Sequence, residues 1–275
     1  VSGSTRSFIS LIHRASVDFT REISPEDRIA VAAFNSRVRL VQQFTSDRAE
    51  VASSIEALRS GGGTAFYDAL ETAVDSYMRG IEGRKAIVVF TDGVDNQLEG
   101  NRGQGSHISF EQLYRRIQEA DIMIYPIFLD TEGDVPVSRQ PRSRPPVVLP
   151  GSRRGWPLPW PLPVPTPTPS PTPAPRGGGV PGRRATYQAA REQLQLIADQ
   201  TGGRMYSPQR IEHLSNAYSE IADDLRIQYG LAYNSTNTAQ DGRWREIKVR
   251  IKSQPDTVAR TRKGYYAGRD RASMP

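Results

Sequence analysis

Ser2 and Ser4 stand on either side of Gly3, with Thr5 behind them. A Ser-x-Ser pair beside a glycine offers two hydroxyl oxygens to one ligand. Hydroxyls alone hold a hard cation poorly, and a carboxylate normally supplies the charge. Two further oxygens stand where such a ligand would need them. Thr64 follows the run Gly61-Gly62-Gly63, and Asp92 lies in FTDGVDN, just past the apolar run AIVVF. Oxygen ligands drawn from three separate segments suit Mg²⁺ or Mn²⁺, with water completing the octahedron. The glycines let the backbones approach. Asp95 and Asn96 follow in the same block, either as partners behind the ligands or as a turn pair after a strand.

Other chemistries have less to stand on. The chain has no cysteine, which removes disulfides, thiolate metal sites and cysteine nucleophiles. Its three histidines, His13, His107 and His213, have neither paired spacing nor an HExxH pattern. There is no G-x-S-x-G elbow and no G-x-x-x-x-G-K-[ST] phosphate loop. No base can be named beside Ser2 or Ser4. The expectation is a binding protein and not an enzyme.

The elements that must position these residues alternate between helix and strand. Phe8, Leu11, Ile12, Ala15, Phe19 and Ile23 make a helical stripe, followed by the apolar run IAVAAF and a short VRLV run. Residues 47–58 are helical in pattern. Thr64 opens another helix, with Phe66, Ala69, Leu70, Ala73 and Tyr77 aligned and Asp68 in its first turn, where the helix dipole favours an acid. AIVVF is a continuous apolar strand of the kind buried on both faces. FEQLYRRIQEA is a helix and IMIYPIFLD a second buried strand, in which Pro126 predicts a local break in the ladder. A helix over 187–200 ends at Gly202-Gly203, RMY makes a short strand, and Ile211, Leu214, Tyr218, Ile221 and Leu225 line a last helix. Repeated strand-then-helix order implies a three-layer, doubly wound α/β fold with a mostly parallel sheet. In such a sheet the ligand site lies at the carboxyl ends of the strands. The tail differs. REIKVRIK alternates strictly and, with GLAY at 230–233 and TVARTRKGYYAG, predicts a small antiparallel appendage.

The formal charge of +6 and pI near 9.7 point to nucleic acid until the charge is located. Residues 135–186 hold eight arginines and no acid, so the remainder carries −2 and nucleic-acid binding is not expected. Within it, residues 141–181 hold 15 of the 21 prolines, with every second residue proline from Pro157 to Pro175. Such a stretch favours polyproline II and is expected to be a disordered insertion. As a binding arm it has Trp156 and Trp160 to offer, but the alternating run contains no PxxP. No apolar run reaches transmembrane length.

SGS, GGGTAFYDAL and TDGVDN, in this order and spacing, resemble a von Willebrand factor type A domain. TGGRMY, QYGLAY and RKGYYA extend the resemblance to about residue 267, toward the bacterial, acidobacterial-type members of the group. The resemblance implies division into 1–134 and 187–228 as the two parts of that domain, 135–186 as insertion and 229–269 as β appendage. It also implies a metal-ion-dependent adhesion site with the pattern D-x-S-x-S, then Thr, then Asp, matched by Ser2, Ser4, Thr64 and Asp92. The cation would be Mg²⁺ or Mn²⁺, and the partner a protein that offers an Asp or Glu carboxylate to it. The alternative is a metal-independent scaffold with a proline-rich spacer. The resemblance suggests an extracytoplasmic bacterial setting, which the sequence itself does not decide. The leading aspartate of the pattern would precede Val1, as would a strand lying between IAVAAF and AIVVF. The expectation is therefore a chain without that strand, with those two runs left unpaired to each other.

Overall fold

The computed structural model describes residues 8–91, 94–96, 105–129, 183–252 and 259–267. Its centre is the pair of apolar runs. β3 (Ala86–Thr91) and β4 (Met123–Phe128) lie parallel, with Ala86 opposite Met123 and Thr91 opposite Phe128. Alternate side chains of β4 point to opposite faces, and both faces are buried. Ile124 and Phe128 enter a cluster with Leu113 and Ile117 of α4 (Phe110–Glu119), Leu194 and Ile197 of α5 (Arg183–Thr201), and Phe66 and Leu70 of α3 (Phe66–Thr72). Tyr125, Ile127 and Leu129 enter a second cluster with Ile12 and Ala15 of α1 (Ile9–Glu22) and Leu214, Tyr218 and Ile221 of α6 (Leu214–Arg226). Helix, sheet and helix thus form three layers around β3 and β4, as the runs of continuous apolarity require.

Pro126 does not break the ladder, contrary to the sequence expectation: Val89 sits opposite it in unbroken register. In a parallel strand alternate residues bond to alternate neighbours. Met123 N and Leu129 N, at the odd positions, donate toward the β3 segment, to Lys85 O and Thr91 O. The even positions face the other side, where Ile124 N donates to Thr201 Oγ1 and Phe128 N to Tyr206 O. Pro126 is an even position, so its missing donor falls where the pairing among the described residues is the single bridge Ile127–Tyr206. Its carbonyl still accepts from Tyr206 N at 2.8 Å. That bridge is all that forms of the expected RMY strand.

β1 (Ile29–Phe34) and β2 (Val38–Thr45) form an antiparallel hairpin, with register shifts between Ile29 and Ala32. Helix α2 (Arg48–Glu56) begins at Asp47, whose carboxylate accepts from Ala49 N and Glu50 N, and packs Val51 and Ile55 against Ile29, Val31 and Val17 of α1. Helix α1 therefore spans two cores, with Ile12 and Ala15 over β4 and Val17 over the hairpin. Among the described residues no ladder joins β1 to β3. The strands make three separate two-stranded sheets there, not one mostly parallel sheet.

The tail also departs from expectation. Among the described residues of the tail only β5 (Trp244–Glu246) and β6 (Gly264–Tyr266) pair as strands, antiparallel, with two further bonds from Ile247 N to Lys263 O and from Ala267 N to Arg243 O. GLAY is not a strand and Val249 and Ile251 have no ladder, because the alternation there finds no facing strand among the described residues. The tail is nonetheless seated. Gly202 has φ +79, and a Cβ on Gly203 would collide with Ile124 O, so only this glycine pair lets the chain turn against β4. Lys263 N then donates to Gln200 O, and Arg262 and Arg260 reach Asp121 and Asp224.

Candidate functional site

The Gly61–Gly63 run closes onto the turn of the β1–β2 hairpin. Gly62 has φ +87, and an added Cβ would press on the Asn35 side chain at 3.2 Å, so glycine suits both conformation and space. Gly63 N donates to Ser36 Oγ (3.1 Å) and Ala65 N to Asn35 O (2.8 Å). Thr64 is held between these two bonds and is 6% exposed. Its Oγ1 makes no hydrogen bond among the described residues. Among the described residues the shut-off side-chain atoms without a partner are His13 Nε2 and Arg245 Nε, so the Thr64 hydroxyl is not one of them and is open to a ligand.

The block after β3 is tied to the same loop. Asn96 N donates to Thr64 O at 3.0 Å. Asp95 is fully buried, and its carboxylate is saturated: Oδ2 accepts from Phe66 N (2.7 Å), Tyr67 N (3.2 Å) and Ser106 Oγ (2.6 Å), and Oδ1 from Ser106 N (2.9 Å). Two of these donors are the otherwise unpaired amides at the start of α3, where an anion is favoured. Burial, and then the negative charge of Asp95, push the Tyr67 phenol well above its ordinary value, and the phenol donates to Gln193 Oε1 at 2.8 Å.

A second acid continues the pattern. Ser106 Oγ accepts from Asp68 N (3.0 Å) while donating to Asp95. The Asp68 carboxylate in turn accepts from His107 N and Ile108 N, and meets His107 Nδ1 at 2.7 Å. That contact raises the His107 pKa above its ordinary value. Asp95, Ser106 and Asp68 thus lash the first turn of α3 to the segment leading into α4. α4 starts at a reciprocal cap between Ser109 and Gln112.

Of the sequence-selected ligands, Thr64 lies in this assembly. Ser2, Ser4 and Asp92 lie outside the described residues; Asp92 directly follows Thr91, the last residue of β3. Asp95 and Asn96, read as either supporting residues or a turn pair, do support the loop of Thr64. Asp68 keeps the structural role read for it. Ser106 and His107 carry no signal in the sequence, since their partner Asp68 lies about 40 residues away. Among the described residues no group of three or more His, Cys, Asp or Glu could hold a metal. The ligand set expected from the sequence, Ser2, Ser4, Thr64 and Asp92, has one acid among hydroxyls and would not form such a group. The buried Thr64, whose hydroxyl has no described partner, fits a hard cation that takes oxygen ligands. No described helix is long and apolar enough to cross a membrane.

The family model described as von Willebrand factor type A domain matches residues 1–94. The chain is 28% identical over 97 residues to the uncharacterized protein sll0103 of Synechocystis sp.; the match covers 34% of this chain and 23% of that protein's length. Among solved structures, a von Willebrand factor type A protein from Catenulispora acidiphila superposes with a TM-score of 0.49 at 16% identity, covering 80% of this chain and 39% of that one. The vWF domain of the type V pili tip protein Mfa5 from Porphyromonas gingivalis gives 0.49 at 12% identity, covering 82% and 91%. The family match ends within the loop that Asp95 anchors, so it takes in the Gly61–Thr64 turn and Asp92 together. Residues 1–94 are thereby matched to a von Willebrand factor type A domain.

Proposed function

We propose that this chain is a divalent-cation-dependent protein-binding module. Ser2, Ser4, Thr64 and Asp92 would hold Mg²⁺ or Mn²⁺, and a partner protein would complete the coordination with an Asp or Glu carboxylate. The cation supplies positive charge that a carboxylate can neutralise, and the chain supplies the oxygen donors, of which Thr64 sits on a pinned loop. The observation that carries this reading is Thr64, buried, its hydroxyl without a described partner, on a loop pinned by Asn35, Ser36 and Asn96. A loop fixed in this way pays little ordering cost when a ligand arrives. Binding, not catalysis, is the proposed role, and turnover of a substrate by the purified chain would overturn that part.

The test is calorimetric titration with Mg²⁺ and Mn²⁺. It uses a chain extended by an aspartate immediately ahead of Val1, where the D-x-S-x-S pattern requires one. The expected result is saturable binding that Thr64→Ala weakens and Asp92→Ala weakens by about tenfold or more, since a charged ligand is lost. Equal affinity in the Asp92→Ala variant, or no binding at all, would reject the site.

A further inference from the structure

Ile227, Tyr229, Leu231 and Tyr233 alternate along one short stretch and are 67%, 87%, 74% and 58% exposed. Ile227 closes α6 in a turn, and from Gln228 to Tyr233 the stretch has no helix, turn or ladder. Among the described residues no backbone hydrogen bond engages residues 229–233. Exposed strands normally guard such an edge with lysine, proline or another charge. This one has none: residues 227–240 contain no charged side chain. The rest of the tail is different, with eight basic against three acidic residues over 229–267.

We infer that this stretch pairs with the same stretch of a second copy of the chain, as an antiparallel two-fold ladder centred on Gly230. That register sets Tyr229 opposite Leu231, an apolar pair on one face that the two-fold axis makes twice. Ile227, which closes α6, and Tyr233, whose ring meets Tyr265 of its own chain edge-on at 6.5 Å, flank the ladder. Gln228 meets Ala232 on the other face. The backbone agrees with the register. Gln228 O is already taken by Arg84 Nη1 at 2.8 Å and Ile227 N by Asp223 O, so the free groups lie from Tyr229 onward. Tyr229 and Leu231 exchange bonds across the axis, and Gly230 then falls at a close, non-bonded pair with Cα atoms roughly 4.5 Å apart. Charge selects the self-pair. The other exposed alternating run, residues 247–252, would set Lys248, Arg250 and Lys252 near their own copies. The neutral run meets no such repulsion. The area decides the strength. Two largely exposed tyrosines and two aliphatic side chains supply on the order of 500 Å² per copy, below the roughly 800 Å² of a standard interface, so the dimer is weak and reversible.

The absence of cysteine makes a clean test. Gly230 has open space where a Cβ would go, so Gly230→Cys introduces a single thiol at the two-fold axis without strain. Under mild oxidation it should form a disulfide dimer about tenfold faster than Thr238→Cys, an exposed control off the ladder. Sedimentation of the chain without cysteine should show a concentration-dependent dimer. Tyr229→Glu and Leu231→Lys should each weaken it about tenfold. An equimolar mixture of the two variants should associate again, because the new carboxylate of one chain would face the new ammonium of the other. A chain that is monomeric at every concentration overturns the inference. So does association that ignores both charge variants, or cross-linking of the Gly230→Cys chain no faster than that of the control.

Discussion

Asp95 is the residue on which the site's geometry turns. Its carboxylate answers four donors from two segments, two of them the first amides of α3. Asp95→Ala removes the carboxylate that Phe66 N, Tyr67 N and Ser106 donate to, at about 1–3 kcal/mol for each buried amide it leaves behind at the start of α3 before relaxation. A loss of about 3 kcal/mol or more in urea unfolding is expected, and Ser106→Ala should cost clearly less. Loss of less than about 1 kcal/mol would mean the loop is held elsewhere. The histidines give a second check. Contact with Asp68 raises the His107 pKa, whereas burial, then the nearby Arg59, lower that of His13. The His107 contribution to stability is complete below the unfolded value of about 6.5 and is lost as pH rises through the higher folded value. The His13 contribution runs the other way, present above about 6.5 and lost as pH falls through the lower folded value. Nuclear magnetic resonance titration should find His107 titrating above His13, and Asp68→Asn should close most of the gap. At this scale the sequence showed Thr64 and Asp95, because glycines and a carboxylate after an apolar run mark a loop at a strand end. It could not show Ser106 and His107, whose roles exist only once α3 and the segment before α4 are side by side.

Elements were legible where their pattern was closed within themselves. The stripes of α2, α4 and α6 and the run of β4 bury what their period predicts, whereas the α1 stripe buries Ile12, Ala15 and Ile23 but leaves Leu11 exposed, and β3 is half-buried apart from Val89 and Thr91. The helix opened by Thr64 is legible too, but its last turn widens into a π-turn over Ala73–Tyr77, which no residue type announces. Pro126 misled because a ladder rule for proline needs to know which side each amide faces. The tail misled because alternation says that a segment suits a strand and not that a partner strand is present. What positions the tail is instead the pair Gly202-Gly203. Gly203→Ala would drive a methyl into Ile124 O, a backbone atom that cannot swing aside. The turn must then leave β4, breaking the Lys263–Gln200 bond. A loss of about 2 kcal/mol or more is expected, of the size of other backbone-conformation defects, together with faster amide exchange at Lys263. An unchanged stability would show that the turn can shift at no cost.

The whole molecule sorts its charge, and this bears on its proline- and arginine-rich segment. The basic tail meets acids of the α/β body at Arg260–Asp224 (2.6 Å) and Arg262–Asp121 (3.4 Å). The arginines of residues 135–186 instead lie mostly outside the described residues. The expectation that this stretch is a disordered insertion lies there too. What the structure does show is that the two elements on either side of it, β4 and α5, pack on each other through Ile124, Phe128, Leu194 and Ile197. The native contacts of the body therefore hold the ends of the insertion without its help. Replacing residues 135–182 by a Gly/Ser linker of about eight residues shortens that loop roughly fourfold. Closure cost falls by about 0.6 kcal/mol for each halving, so the body gains about 1 kcal/mol. For a body of this size that raises the melting temperature by about 2–4 °C. A scanning calorimeter comparing the two chains decides the matter. An equal or higher melting temperature is the expected outcome, while a fall of several degrees would show that the proline- and arginine-rich stretch packs on the body and belongs to its core.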